Sequence, residues 1–115
     1  MKIKHLILTL AAIAFIALAS INVSVNAQEA KDGKTVFTEQ KCDMCHSINS
    51  LGIASKKKSG AIDLSNAAVE GDAEFFAKYL KKETDLKGKK HPAQFKGSDE
   101  DLTIMAEWLT TLKSE

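Results

Sequence analysis

Cys42, Cys45 and His46 stand together in the segment CDMCH, residues 42–46. The two thiols are three residues apart and the imidazole follows at once, so one turn of chain can present all three groups to a single partner. Three chemistries use such a set: a redox-active dithiol, a structural metal site, and covalent attachment of a haem.

The dithiol and zinc interpretations leave parts of the pattern unexplained. A redox dithiol normally lies at a turn from a strand into a helix, whereas an amphipathic segment precedes Cys42 and a loop follows His46. A structural zinc site needs four ligands, usually as two spaced pairs. Downstream there is one more histidine, His91, and no further cysteine. Adjacent Cys45 and His46 would also strain tetrahedral binding to one ion.

Covalent haem attachment uses every residue of the segment. Two thiols separated by two residues can add to the two vinyl groups of one haem, and the next residue then supplies an imidazole nitrogen to the iron. The pattern C-x-x-C-H is typical of c-type haem attachment. We therefore predict one covalent haem c, bound through Cys42 and Cys45, with His46 as the proximal axial ligand.

Residues 1–27 have the pattern of a secretory signal peptide. Two lysines precede an uncharged, mostly apolar run of sixteen residues, 6–21, and a small residue, Ala27, ends the segment. The run is shorter than the roughly 20 residues of a membrane-spanning helix, so we expect cleavage after Ala27 rather than a retained anchor. The mature chain, residues 28–115, would then be exported, to the periplasm or an equivalent compartment, without stable membrane insertion.

The mature chain is predicted to be one small helical domain. Loss of the two leader lysines changes the formal charge from +1 to −1, which leaves no electrostatic footprint for nucleic acid. Helices are predicted over residues 29–41, over residues 72–82 with Asp72 as N-cap, and from the N-cap Ser98 onward. A domain of this size buries only a small core, and a haem would add apolar surface. Apolar residues recur at helical spacing in the last helix: Leu102, Met105, Leu109 and Leu112.

With these features the chain resembles the small class I c-type cytochromes. Residues 33–37 (GKTVF) resemble the family's first helix, and Met105 and Trp108 match two packing positions of its last helix. The resemblance implies an all-α cytochrome c fold, with three to four helices wrapped around one covalently attached haem. It also implies that the N- and C-terminal helices cross with Gly33 against Trp108. Tyr79 would hydrogen-bond a haem propionate or belong to the core.

Residues 62–64 (IDL) resemble a stretch in which the family carries a proline. The carbonyl of that proline accepts a hydrogen bond from the proximal histidine, which fixes the tautomer and raises the basicity of the imidazole. Ile62 takes the proline's place here. A carbonyl needs no particular side chain, so the bond can survive the substitution, and the acceptor for His46 stays open.

The sixth iron ligand is predicted from residues 88–97 (GKKHPAQFKG). Common members of the family have a methionine before a proline in this stretch, and this chain has His91 before Pro92. Both histidines of the mature chain, His46 and His91, therefore fall at ligand positions. The resemblance implies a bis-histidine haem with His91 as the distal ligand.

Other sixth ligands remain possible from the sequence. Met105 is a candidate, although it lies well inside a helix and fits equally as core. Lys89 or Lys90 could bind only after losing a proton, which the usual lysine pKa opposes near neutrality. The distal position could also be open.

A six-coordinate haem leaves no position for a substrate, so we predict a one-electron carrier rather than an enzyme and assign no catalytic residue. Exchanging methionine for imidazole should lower the reduction potential. Redox partners are expected at the exposed haem edge of a monomer, and residues 56–58 (KKK) either steer an acidic partner or form a solvated loop. The alternative function is a haem-based sensor or ligand-binding protein in which a gas or anion displaces His91.

Overall fold

The computed structural model describes residues 30–115. The predicted signal peptide, residues 1–27, lies outside the described residues, so its cleavage stays a prediction. Three α-helices form the body of the fold: α1 Gly33–Glu39, α2 Ala73–Leu80 and α3 Asp99–Leu109. Short elements lie between α1 and α2: the 3₁₀ helices Cys42–Met44, Asn49–Leu51 and Ala67–Val69, and the strands β1 His46–Ser47 and β2 Ile62–Asp63. None of the helices in this part of the chain has the length and apolarity needed to cross a bilayer. The predicted mainly helical class is confirmed.

Each helix begins at a side chain that accepts a hydrogen bond from the first turn. The Asp72 carboxylate accepts from the Phe75 backbone N–H at 2.8 Å, and the Ser98 hydroxyl accepts from a backbone N–H of α3. Both N-caps were predicted. The start of α1 was predicted four residues too early, because Asp32 caps this helix by accepting from Thr35 N–H at 2.7 Å. Such caps stabilise a helix by about 1 kcal/mol each.

The first and last helices pack together, and α2 packs on α3. A Cβ atom added to Gly33 would overlap the Trp108 side chain, so the absence of a side chain at this position allows the close approach. Phe37 meets Trp108 edge to face, with ring centroids 5.8 Å apart. The predicted contact of Gly33 with Trp108 is confirmed. The buried core around it comprises Val36, Phe37, Ile48, Ala67, Phe76, Met105, Ala106, Leu109 and Leu112.

The two short strands bring residues 62–64 beside the cysteine–histidine segment. Strands β1 and β2 are parallel, with His46 opposite Ile62 and Ser47 opposite Asp63. The Ile62 N–H donates to the Cys45 carbonyl at 3.2 Å, and the Leu64 N–H donates to the Ser47 carbonyl at 2.8 Å. This pairing positions a backbone carbonyl next to the His46 ring.

Candidate functional site

Cys42 and Cys45 lie on one tight turn directly after α1. Lys41 adopts a left-handed conformation with a φ of 58° and leads the chain from α1 into the 3₁₀ helix Cys42–Met44. The Cys45 N–H closes the turn by donating to the Cys42 carbonyl at 3.1 Å. Side chains three residues apart eclipse in a 3₁₀ helix. Cys42 and Cys45 form no disulfide with each other, and the turn keeps the two side chains close together along the chain.

The site disfavours the dithiol and zinc alternatives. Burial, together with the charge on Asp43, raises the pKa of the Cys42 thiol to about 11. Redox-active cysteines instead have a lowered thiol pKa, so the surroundings of Cys42 do not match those of a redox dithiol. Among residues 30–115, no group of three or more His, Cys, Asp or Glu side chains is arranged to hold a metal ion. A tetrahedral zinc site therefore lacks its ligand set in this part of the chain.

His46 is oriented by a backbone carbonyl. Its Nδ1 atom lies 3.2 Å from the Ile62 carbonyl oxygen. Since that oxygen can only accept, Nδ1 carries the proton and donates, which leaves the lone pair on Nε2 available to a metal. Burial lowers the pKa of His46, the bond to Ile62 opposes this, and the neighbouring His91 adds to it. The neutral, metal-binding form of the imidazole is favoured.

His91, in the loop between α2 and α3, is oriented in the same way. Its Nδ1 atom forms a short hydrogen bond with the Ala93 carbonyl oxygen, two residues along the chain. This bond assigns the proton to Nδ1 and leaves the Nε2 lone pair of His91 available. Both imidazoles of the site thus have the same tautomer.

The loop that carries His91 is anchored on both sides of the histidine. Before it, Leu86 and Lys89 exchange two backbone hydrogen bonds of 2.8 and 3.0 Å around a two-residue turn with positive φ at both central positions. After it, the Phe95 N–H donates to the Leu80 carbonyl at 2.9 Å. The Lys90 ammonium also donates to the Lys82 carbonyl at 3.0 Å. His91 is therefore held by a folded loop.

The imidazole rings of His46 and His91 lie together. Their centroids are 6.0 Å apart and their planes are inclined by 19°. A five-membered ring with bonds of about 1.33 Å has a radius of about 1.1 Å. Imidazole–metal bonds of about 2.0–2.1 Å, as in zinc sites, would put two centroids on opposite sides of one metal about 6.3 Å apart. Such a spacing also occurs in simple aromatic contacts, but two free Nε2 lone pairs favour a shared metal. The residues present fit an iron bound between the two rings.

Other predicted side chains lie elsewhere. Met105 is only 2 % exposed and belongs to the hydrophobic core, which agrees with its interpretation as core. Tyr79 lies edge to face against the His91 ring rather than isolated in the core. The Lys90 ammonium is engaged with the Lys82 carbonyl.

The lysine run at residues 56–58 is attached to the cysteine turn. The Lys56 N–H donates to the Asp43 carbonyl at 2.8 Å, and the Ser55 hydroxyl donates to the same oxygen at 3.0 Å. The Lys56 ammonium pairs with the Asp43 carboxylate at 3.1 Å. Lys57 and Lys58 are exposed. Two lysines of the run therefore present positive charge beside the cysteine turn.

Two groups of the site were not identified from the sequence. The Ala93 carbonyl orients His91, and a backbone carbonyl has no signature in sequence. The Asp63 carboxylate accepts hydrogen bonds from Asn49 and Ser65 beside the His46–Ile62 pair. The contact with Asn49 joins residues 14 positions apart, so no local pattern could have indicated it.

Comparison with known families agrees with this site. The family model described as Cytochrome c matches residues 30–113 of the chain. The match covers the cysteine–histidine segment, the His91 loop and all three helices. No curated protein and no solved structure matches the chain significantly.

Proposed function

The chain belongs to the cytochrome c family, and on that premise we propose that it is an exported one-electron carrier whose haem iron is bound by two histidines. Members of this family hold haem c covalently, and haem c is the cofactor of this chain. In the proposed arrangement Cys42 and Cys45 form the thioether bonds, His46 is the proximal ligand and His91 is the distal ligand. The helices α1, α2 and α3 wrap one haem, with α1 and α3 crossing at Gly33 and Trp108.

The observation that carries the bis-histidine assignment is the relation between the two imidazoles. Their centroids are 6.0 Å apart, close to the spacing expected across one metal. Each Nδ1 donates to a backbone carbonyl, of Ile62 or of Ala93. Hydrogen bonds of this kind hold the ring orientation and raise ligand basicity. Met105 supports the same assignment because its side chain is occupied in the core.

Two basic imidazoles should give a low reduction potential. The bound haem supplies an iron that takes up and releases one electron. Methionine–histidine ligation raises the potential of cytochromes c, and neither imidazole has the soft sulfur that favours ferrous iron. Each factor of ten in the one-electron equilibrium corresponds to about 59 mV. The ligand set therefore requires electron donors of lower potential than a methionine-ligated relative would need.

The anchored His91 loop favours a carrier over a sensor. A sensor needs a distal ligand that a gas or anion displaces readily. Backbone and side-chain hydrogen bonds fasten this loop to Leu80 and Lys82, so displacement of His91 has to disturb them or turn the ring out of the Ala93 bond. With both axial positions filled, no position on the iron is left for substrate, which is consistent with a protein that is not an enzyme.

We place the partner contact beside the cysteine turn, in a monomeric protein. Met44, between the two cysteines, is 50 % exposed, so the turn that would carry the haem attachment lies at the protein surface. Lys57 and Lys58 lie on the segment attached to the turn and add positive charge there. A redox protein with an acidic surface would be steered to this edge.

The decisive test is the optical spectrum of the full-length chain expressed with export and haem attachment. We expect a haemochrome with one haem per chain and a low-spin ferric spectrum without the far-red band of an iron–sulfur bond. His91→Ala should turn the ferric haem high-spin. Gln94→Ala, a change at an exposed position of the same loop, should leave it low-spin. A far-red iron–sulfur band in the wild type, or a low-spin His91→Ala protein, would contradict bis-histidine ligation.

A further inference from the structure

The Ile62 carbonyl, which accepts the hydrogen bond from His46, is held in place by few contacts of its own residue. Strand β2 has two residues, and the Ile62 side chain is 62 % exposed. Packing of that side chain therefore does little to hold the Ile62 peptide. The local pairing consists of two backbone hydrogen bonds, from Ile62 to Cys45 and from Leu64 to Ser47. A sheet of two such short strands is marginal without additional contacts.

Asp63 supplies those contacts. Its Oδ1 atom accepts three hydrogen bonds: from the Asn49 N–H at 3.1 Å, from the Ser65 N–H at 3.0 Å and from the Ser65 hydroxyl at 2.6 Å. Its Oδ2 atom accepts from the Asn49 side-chain amide at 3.0 Å. The Ser65 hydroxyl in turn accepts from the Ser50 N–H at 2.9 Å. Bonds to an ionised carboxylate are stronger than those between neutral groups.

The position of this cluster links it to the ligand. Asp63 directly follows Ile62, and Asn49 lies three residues after His46. The cluster therefore joins the chain leaving β1 to the chain leaving β2, next to the pair in which His46 Nδ1 meets the Ile62 carbonyl. The lowered pKa of Asp63, caused first by the Ser65 hydroxyl bond, agrees with a carboxylate held in its charged form.

We propose that Asp63 is a positioning residue for the proximal histidine: by binding Asn49 and Ser65 it keeps the Ile62 carbonyl at the His46 Nδ1 proton and thereby lowers the reduction potential of the haem. This inference rests on the proposed function in taking His46 as an iron ligand. When the carbonyl moves away, the imidazole becomes less basic and ferric iron loses stabilisation. Mutating an outer-shell partner of a ligating histidine typically costs 10–100-fold in metal affinity or activity.

The test compares three variants of the holoprotein by voltammetry. Asp63→Ala removes all four acceptor contacts, and we expect the equilibrium to shift about tenfold toward ferrous iron, which is a rise of about 59 mV. Asp63→Asn is the matched control for charge: its amide oxygen can keep the three Oδ1 contacts, and the Asn49 amide can rotate to accept the fourth. It should shift the potential distinctly less than Asp63→Ala.

A third variant avoids both the charge change and a large disturbance of folding. Ser65→Ala keeps Asp63 ionised but removes the hydroxyl that donates to it and accepts from Ser50. We expect a smaller rise of the potential than in Asp63→Ala. The proton NMR signal of His46 Nδ1–H in the reduced, diamagnetic protein should move upfield in both alanine variants, which reports a weaker bond to the Ile62 carbonyl.

Equal shifts in Asp63→Ala and Asp63→Asn, with the His46 Nδ1–H signal unchanged, would overturn the proposal and leave only an effect of charge. An unchanged potential in Ser65→Ala together with an unmoved Nδ1–H signal would also overturn it. These outcomes differ from failure of the bis-histidine assignment, which would be visible in the wild-type spectrum before any variant is made.

Discussion

The phenol ring of Tyr79 meets the imidazole of His91 edge to face, with centroids 5.3 Å apart and planes inclined by 80°. Tyr79 also lies nearly parallel to Phe75, with ring centroids 5.8 Å apart. Helix α2 therefore supports the His91 ring with an aromatic side chain, in addition to the hydrogen bond that His91 makes with Ala93.

Loss of this ring should make His91 easier to displace. Edge-to-face aromatic pairs contribute about 0.5–1.5 kcal/mol beyond area burial, so Tyr79→Leu should raise the apparent carbon monoxide affinity of the reduced protein by about two- to tenfold. Tyr79→Phe keeps the ring and should bind like the wild type. Equal effects of the two variants would assign the role to the hydroxyl group instead. Titration of the ferrous protein with carbon monoxide measures both.

Exchanging His91 for methionine should raise the reduction potential. Methionine is the residue that the resemblance implies at this position in common relatives, and its thioether favours ferrous iron relative to imidazole. We expect His91→Met to show the far-red iron–sulfur band in the ferric state and a potential at least 59 mV higher, that is about tenfold in the equilibrium. A raised potential without that band would mean that methionine does not bind and that another change is responsible.

Gly33→Ala should destabilise the protein although alanine is the better helix former. The added Cβ would overlap Trp108, and overpacking of this kind costs about 1–3 kcal/mol. Lys34→Ala, at an exposed position of α1, is the control for helix propensity and should change stability little. Denaturant midpoints followed by helical circular dichroism report the difference. If Gly33→Ala were as stable as the wild type, the approach of α1 to α3 would have to be looser than described.

Acid should weaken the Asp63 cluster. Hydrogen bonds from Ser65 and Asn49 lower the pKa of Asp63 below its ordinary value of 3.8, so the unfolded chain binds this proton first as the pH falls. The stabilisation that the ionised Asp63 carboxylate gives to the folded protein is complete above about pH 3.8. It is lost as the pH drops through the lower pKa that Asp63 has in the folded state. Neither hydrogen-bonding partner titrates.

Thermal midpoints of the wild type and Asp63→Asn between pH 7 and pH 2 measure this effect. The wild type should have a higher thermal midpoint than Asp63→Asn. This difference should be constant near neutrality and should shrink below about pH 4. Asp85→Asn serves as control, because Asp85 has only a 3.9 Å ion pair with Lys90. If the difference between the two thermal midpoints persisted unchanged to the lowest pH, the ionised form of Asp63 would not be the stabilising group.

The charges on Lys57 and Lys58 should control the rate at which anionic oxidants oxidise the ferrous protein. Lys57→Ala/Lys58→Ala should slow oxidation of the ferrous protein by hexacyanoferrate several-fold at low ionic strength, and the difference should close as salt screens the charges. A cationic cobalt complex should not be slowed. Lys34→Ala/Lys113→Ala removes the same charge from exposed positions outside this segment. If it slows hexacyanoferrate equally, net charge rather than the local lysines steers the reagent.

Much of the helical framework was predictable from local patterns. Asp72 and Ser98 begin helices where their side chains predicted it, and Leu102, Met105 and Leu109 are buried as their spacing indicated. Gly33 was understood only with Trp108, from the resemblance to a family. For the N-caps and the apolar face of α3, the signal lies in side chains at short, regular separations.

The strands, carbonyls and carboxylate that position the two histidines were not predictable from such local patterns. The strands β1 and β2 fall in a segment expected to be loop, because their pairing joins residues 16 positions apart. The Ile62 carbonyl was indicated only by the resemblance to the family, which left the acceptor for His46 open, and the bond is present. The Ala93 carbonyl acts through a backbone atom that every residue possesses. Asp63 is one of many acidic residues in sequence, and it becomes distinct only when folding brings Asn49 against it.

The fastening of the His91 loop bears on how fast electrons move. A loop tied to Leu80 and Lys82 and closed by the Leu86–Lys89 turn has little freedom to relax when the charge on the iron changes. If the haem iron keeps the two proposed imidazole ligands in both oxidation states, its inner-sphere reorganisation energy should be small. On the proposed docking surface, the remaining activation barrier would then lie mainly in reorganising the water at the cysteine turn, and a docked partner would lower that barrier by excluding the water.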